Sequence, residues 1–141
     1  MSREPEAGFE LHPRLARDTV FIADWPLCRV LLMDDARFPW LILVPRRAGM
    51  RELDDLDDDE RALLMQEIQA AMKALRTVAA CDKLNVGVLG NIVRQLHVHV
   101  VARRVGDAAW PGPVWGQGEA LRYTPAQRQS LATQLRSGTG S

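Results

Sequence analysis

The chain has 141 residues, 47% of them hydrophobic and 26% charged, with eighteen basic residues balancing eighteen acidic ones. That length suits one domain with a real core and is too short for two. The composition excludes a disordered chain, and the charge balance gives no general drive toward nucleic acid or membrane.

In chain order, residues 1–8 are polar and expected to be loose. Thr19–Asp24 (TVFIAD) and Cys28–Met33 (CRVLLM) are short, β-rich runs on either side of Trp-Pro, and they predict a hairpin or two adjacent strands. Trp40–Val44 (WLILV) is a continuous apolar run ended by Pro45, as a strand covered on both faces would be. The Pro45-Arg46-Arg47-Ala48-Gly49 stretch then turns the chain.

A long helix is predicted over 57–80. Asp57 and Glu60 have capping-box spacing, and the surrounding aspartates suit a helix N-terminus. Leu64, Ile68, Ala71, Met72, Leu75 and Val78 form one apolar face, with Arg61, Glu67, Lys73 and Arg76 assigned to the wet side. Further strands are expected over 84–89 (LNVGVL), closed by Gly90-Asn91, and over 95–102. Thr124-Pro125 starts a last helix through about Leu135. The implied class is α+β: a mainly antiparallel sheet of about five strands with the long helix on one face and a C-terminal helix. One domain is expected over 1–136, with a disordered tail at 137–141. Cys28 and Cys81 form no C-x-x-C motif, and no run has the length of a signal peptide or membrane span. A reduced, cytoplasmic protein is therefore expected, with no membrane partner.

The chemistry concentrates in QLHVHVVAR, residues 95–103. Side chains alternate along a strand, so Gln95, His97, His99 and Val101 share one face, and Leu96, Val98, Val100 and Ala102 share a uniformly apolar one. The two histidines could be satisfied surface residues. They could also be two ligands of a metal, although third and fourth ligands are not evident nearby and His12 lies in a segment expected to be irregular. A nucleic-acid site is a weak third reading: the Arg46-Arg47 and Arg103-Arg104 pairs lack an aromatic platform. A nucleophile with its neighbour is the fourth, since a neutral imidazole attacks phosphorus well and a second can hold a phosphate oxygen.

GNIVRQLHVHVVAR resembles the signature strand of histidine triad (HIT) proteins, His-φ-His-φ-His-φ-φ with φ apolar. Gln95, His97 and His99 fall in the three histidine positions. The resemblance extends back over LILVPRR, the long helix and LNVGVLGN, spanning roughly residues 18–104. It implies a nucleotidyl hydrolase or transferase acting at the α-phosphate of dinucleoside polyphosphates or nucleoside phosphoramidates. His97 is implied as the nucleophile that carries the nucleotide covalently and His99 as a phosphate ligand. Asn85 is implied as a substrate contact and the Gly90-Asn91 turn as lying close to the phosphate. The backbone carbonyl of Gln95 is implied as the group that orients His97, with Gln95 counted among the substrate-binding residues. A purine nucleotide substrate, a two-fold homodimer and no resident cofactor or metal follow from the same resemblance.

The chain departs from the family pattern at Gln95, which replaces a histidine. It departs again at Ala48-Gly49, where many members have a histidine, and at Ile92, where the family has Ser or Thr. These changes make proton donation to the leaving group the weak step. A non-catalytic nucleotide-binding protein on the same fold is the alternative. Trp25, Phe38 and Trp40 supply apolar bulk near the expected base cleft. Trp110 and Trp115, in WPGPVWG, are candidates for a substrate rim or a dimer contact.

Overall fold

The computed structural model describes residues 8–138. A short helix α1 (Pro13–Asp18) leads into β1 (Thr19–Asp24), β2 (Cys28–Met33) and β3 (Trp40–Pro45). After a 3-10 turn at Leu53–Asp55 come α2 (Asp58–Val78), β4 (Lys83–Gly87), β5 (Val98–Arg103) and α3 (Pro125–Gly138). The strands form one antiparallel sheet in the order β1-β2-β3-β5-β4. This is the expected α+β architecture.

Local chemistry explains the helix ends. The Asp57 carboxylate accepts from the Glu60 N–H and the Glu60 carboxylate accepts from the Asp57 N–H, so the predicted capping box forms. Thr124 and Gln127 exchange the same pair of bonds at the start of α3. That helix continues to Gly138, so Ser137 and Gly138 belong to its last turn rather than to a loose tail. The remaining tail residues and residues 1–7 lie outside the described residues.

Strand alternation divides the buried residues into two layers. Val30, Leu32, Leu41, Leu43, Val98 and Val100 face α2 and α3, meeting Leu64, Ile68, Leu75 and Leu135. Leu31, Trp40, Ile42, Val44 and Val101 face the other way. There they are covered by Phe9 to Leu15 and by Ala109, Val114 and Trp115 from the irregular segment between β5 and α3.

Several expectations are corrected. β5 starts at Val98, not at residue 95, because the preceding backbone is engaged elsewhere: Leu96 N–H donates to the Met50 carbonyl and the Gln95 carbonyl accepts from His97. β4 ends at Gly87, leaving Val88 and Leu89 outside the ladder. Glu67 does not lie on a wet face. It is 4% exposed, and its carboxylate accepts from the backbone N–H groups of Leu27 and Cys28. Two carbons of side chain thus carry a charge across the apolar face to close the β1–β2 turn, which satisfies donors that burial would otherwise strand. The arginine pairs are not open basic patches either. Arg47 and Glu60 form an ion pair at 2.7 Å with both side chains fully buried, and Arg103 is held at 2.8 Å by Asp107. That bond, with two backbone N–H donors, holds the Asp107 carboxyl well below the usual carboxylate range against its partial burial.

Candidate functional site

The face opposite the helices carries a cavity of about 580 Å³. Both histidines line it, each only 6% exposed, so they are not a surface pair. His99 is delivered by the β3–β5 ladder, in register with Ile42 and diagonal to Trp40. His97 lies one residue before the ladder begins, with ring centroids 4.9 Å from those of His99.

The hydrogen bonds assign a tautomer to each ring. His97 Nδ1 lies 2.6 Å from the Gln95 carbonyl oxygen, which can only accept. Nδ1 therefore carries a proton, and in the neutral tautomer the lone pair is on Nε2. His99 Nδ1 lies 3.1 Å from the indole nitrogen of Trp40, which can only donate. Nδ1 is the acceptor there, so the His99 proton sits on Nε2. The pair thus offers one basic nitrogen and one N–H donor. Burial, reinforced by neighbouring His97, lowers the His99 pKa to about 3, so this ring stays neutral at physiological pH.

Trp115 closes the site from above. Its ring packs edge-on to His99 at 5.3 Å and to Trp40 at 6.3 Å. A Cβ on Gly87 would come within 2.7 Å of this indole, so the glycine in β4 is what admits it. The Trp115 Nε1–H is buried without a hydrogen-bond partner among the described residues. Its loop is tied down by Arg37, which donates to the Gln117 carbonyl while pairing with Asp35 at 2.8 Å, and by Asp34, which accepts from the Tyr123 N–H.

Of the residues singled out in the sequence, His97, His99, Gly90 and Asn91 line the cavity. Gly90 has φ of 75°, in the left-handed region, which explains glycine at this turn. Ile92 lines the cavity as well. Asn85 and Gln95 do not. The Asn85 side-chain oxygen accepts from Arg103 at 2.9 Å, two ladder positions from Gly87. The Gln95 amide reaches the N-terminal segment instead: Oε1 accepts from the His12 N–H and Nε2 donates to the Glu10 carbonyl, both at 2.8 Å. Trp25 belongs to the helix-side layer, Phe38 to the core under the cavity, and Trp110 to a stack on Arg103.

Sequence reading missed α1, which adds Arg14, Leu15 and Asp18 to the lining, and it missed Asp34 and Asp35. Pro13 after His12 carried a helix-start signal, and the His12 ring does cap α1 by accepting from the Arg14 N–H. Among the described residues no group of three or more His, Cys, Asp or Glu is arranged to hold a metal ion, and no helix is long and apolar enough to cross a membrane.

The family model described as "HIT domain" matches residues 14–106. The AP-4-A phosphorylase of Mycobacterium tuberculosis (strain H37Rv) is 35% identical over 100 residues, covering 67% of this chain and 51% of that protein. The chain therefore spans about half the length of the curated relatives it matches. A histidine triad protein from Bradyrhizobium japonicum superposes with a TM-score of 0.90 at 49% identity, over 93% of this chain and 98% of its own. A histidine triad protein from Marinobacter aquaeolei VT8 does so with a TM-score of 0.90 at 43% identity, over 94% and 96%.

Proposed function

The chain belongs to the HIT domain family, and from that premise we propose that it is a nucleotidyl hydrolase or transferase that works through a covalent nucleotidyl-His97. The observation that carries this reading is the pair of opposed tautomers: a buried, basic His97 Nε2 beside a neutral His99 Nε2–H.

In the first step the His97 Nε2 lone pair forms a bond to the α-phosphorus. The bond from phosphorus to the bridging oxygen breaks, and its electron pair leaves with the second half of the substrate. His99 Nε2–H and the turn at Gly90 and Asn91 stabilise charge on the phosphoryl oxygens, which supplies most of the catalysis in reactions of this type. In the second step an acceptor oxygen attacks the same phosphorus and His97 is released. Water as acceptor makes this a hydrolase and liberates a nucleoside monophosphate. The name of the mycobacterial relative favours inorganic phosphate, which would liberate a nucleoside diphosphate from the same intermediate. A dinucleoside polyphosphate is the preferred substrate and a nucleoside phosphoramidate the alternative. Met33, Ile42 and Val93 give the cavity an apolar side suited to a purine.

On this reading Gln95 occupies the first histidine position of the family motif and keeps its orienting function, because any residue supplies a carbonyl. Neither Gln95 nor Ile92 offers a proton to the leaving group, and losing one positioned acid costs ~10²–10⁴-fold. That favours slow turnover, and a nucleotide-binding protein without turnover is the second reading. A two-fold homodimer is part of the proposal, supported by β4 as a sheet edge with Val86, Val88 and Leu89 exposed. Sedimentation of a Val86→Lys variant as a monomer beside a dimeric wild type would support that edge; a monomeric wild type would remove it.

The test of the reaction is intact mass after brief mixing with diadenosine tetraphosphate, quenched at high pH where a phosphoramide bond survives. An added adenylyl mass on wild type and none on His97→Ala is expected, with turnover lower by at least ~10³-fold in the variant. Adding inorganic phosphate separates the two acceptors by whether AMP or ADP accumulates. No adduct and no product from wild type would leave the binding-protein reading.

A further inference from the structure

Gln95 departs from the family motif, and its amide serves neither ring of the pair. It bonds instead to the backbone on both sides of Leu11, through the Glu10 carbonyl and the His12 N–H. These are the residues that launch α1, and His12 is its cap. Gln95 therefore ties the active-site strand's approach to the helix that enters the cavity wall.

α1 brings a charge with it. The cavity is lined by three arginines and three aspartates. Arg37 pairs with Asp35 at 2.8 Å, Arg122 with Asp34 at 3.0 Å, and Asp18 with Arg17 at 3.0 Å. Arg14 alone among the lining arginines has no carboxylate partner among the described residues, and its side chain is exposed at the mouth. The two histidines can meet one phosphoryl group, with His99 neutral and offering only its Nε2–H. A substrate with a single phosphate has no need of Arg14. A chain of phosphates running out of the cavity does, because each further phosphate carries negative charge past the paired arginines. The leaving half also gains charge as its bridging oxygen departs, and neither Gln95 nor Ile92 is an acid that could neutralise it. A cation at the mouth meets that charge directly.

Building on the nucleotide reading above, we infer that Arg14 is the specificity-determining residue that binds the phosphates beyond the scissile one, with Gln95 as the positioning residue that holds α1 in place for it. The site is then built for a polyphosphate rather than for a lone phosphoryl group.

The test is equilibrium binding by calorimetry, using AMP and the α,β:α′,β′-bismethylene analogue of diadenosine tetraphosphate, in which neither α-phosphate keeps a cleavable oxygen bridge, with wild type, Arg14→Ala, Arg14→Lys and Gln95→Ala. Wild type prefers the analogue. Arg14→Ala lowers that preference about tenfold, more at low salt than at high salt, and Arg14→Lys recovers most of it. Gln95→Ala lowers the preference as well, and combined with Arg14→Ala it adds nothing further. A wild type that binds both ligands equally overturns the assignment, as does an Arg14→Ala protein with the wild-type preference; both leave the nucleotide reading standing. Additive losses overturn the role given to Gln95. A wild type that binds neither ligand takes down the nucleotide reading and this inference with it.

Discussion

The same three central strands supply both faces of the sheet, yet the faces are built differently. Toward α2 and α3 the buried side chains are almost all aliphatic, and regular helices cover them continuously. Toward the cavity they are joined by Trp40, His97, His99 and Trp115, under a cover that is mostly irregular chain held by ion pairs. A helix laid on a sheet interlocks side chains and leaves little space. An irregular segment pinned at a few points can span a gap, and here it leaves about 580 Å³ beside two histidines. Close packing thus belongs to one face of the sheet and the candidate site to the other.

Substitutions should respect that division. Leu75, on the sheet-facing side of α2, is fully buried. Leu75→Ala should lower the unfolding free energy by about 2–5 kcal/mol in urea titration, the usual cost of a cavity in a close-packed core. Trp115→Ala should cost less in the same titration, because its loop has other anchors and its Nε1–H has no partner to lose, while lowering turnover more than Leu75→Ala does below its melting point. The reverse ranking would end the division of labour argued above.

An effect of comparable size separates the faces by pH. His99 has its pKa lowered to about 3 in the folded chain, by burial and then by His97, against about 6.5 unfolded. Below pH 6.5 the unfolded chain takes up a proton that the folded chain refuses. Stability should therefore fall as pH drops from 6.5 toward 3, by up to on the order of 1.4 kcal/mol per pH unit, and stay level from this group above 6.5. Subtracting the profile of His99→Asn from that of wild type isolates the effect from the carboxylates. Parallel profiles would mean that His99 is not held neutral.

The smallest test concerns the tautomer. Trp40→Phe keeps an aromatic ring on the cavity side of β3 but removes the donor to His99 Nδ1. About a tenfold loss of kcat/KM is expected, with unfolding changed by less than ~1.5 kcal/mol. Unchanged kcat/KM would show that the His99 proton is placed by something other than Trp40.

Much of this was legible in residue order. The capping box at Asp57 and Glu60, the alternation from Leu96 to Ala102 and the apolar run of β3 each report a local rule with a single satisfying geometry. His97 and His99 were identifiable because two polar rings in an apolar strand need a reason. Glu67 was misread because periodicity sees only a charge at a helical position, not the two N–H groups forty residues upstream that make its burial favourable. Asn85 shows the same blindness: its neighbour on the next strand, Arg103, is eighteen residues away in the chain.

The sequence by itself determined which residues alternate along β5 and where α2 and α3 begin. Those are short-range consequences of backbone geometry. Only the tertiary structure decided that the histidine face is buried, that Trp40 meets His99 Nδ1, that Gln95 bonds the backbone on both sides of Leu11, and that Arg14 lines the cavity. Each of these depends on groups brought together across strands or from the chain's first segment, and no periodicity encodes which distant donor will meet which acceptor.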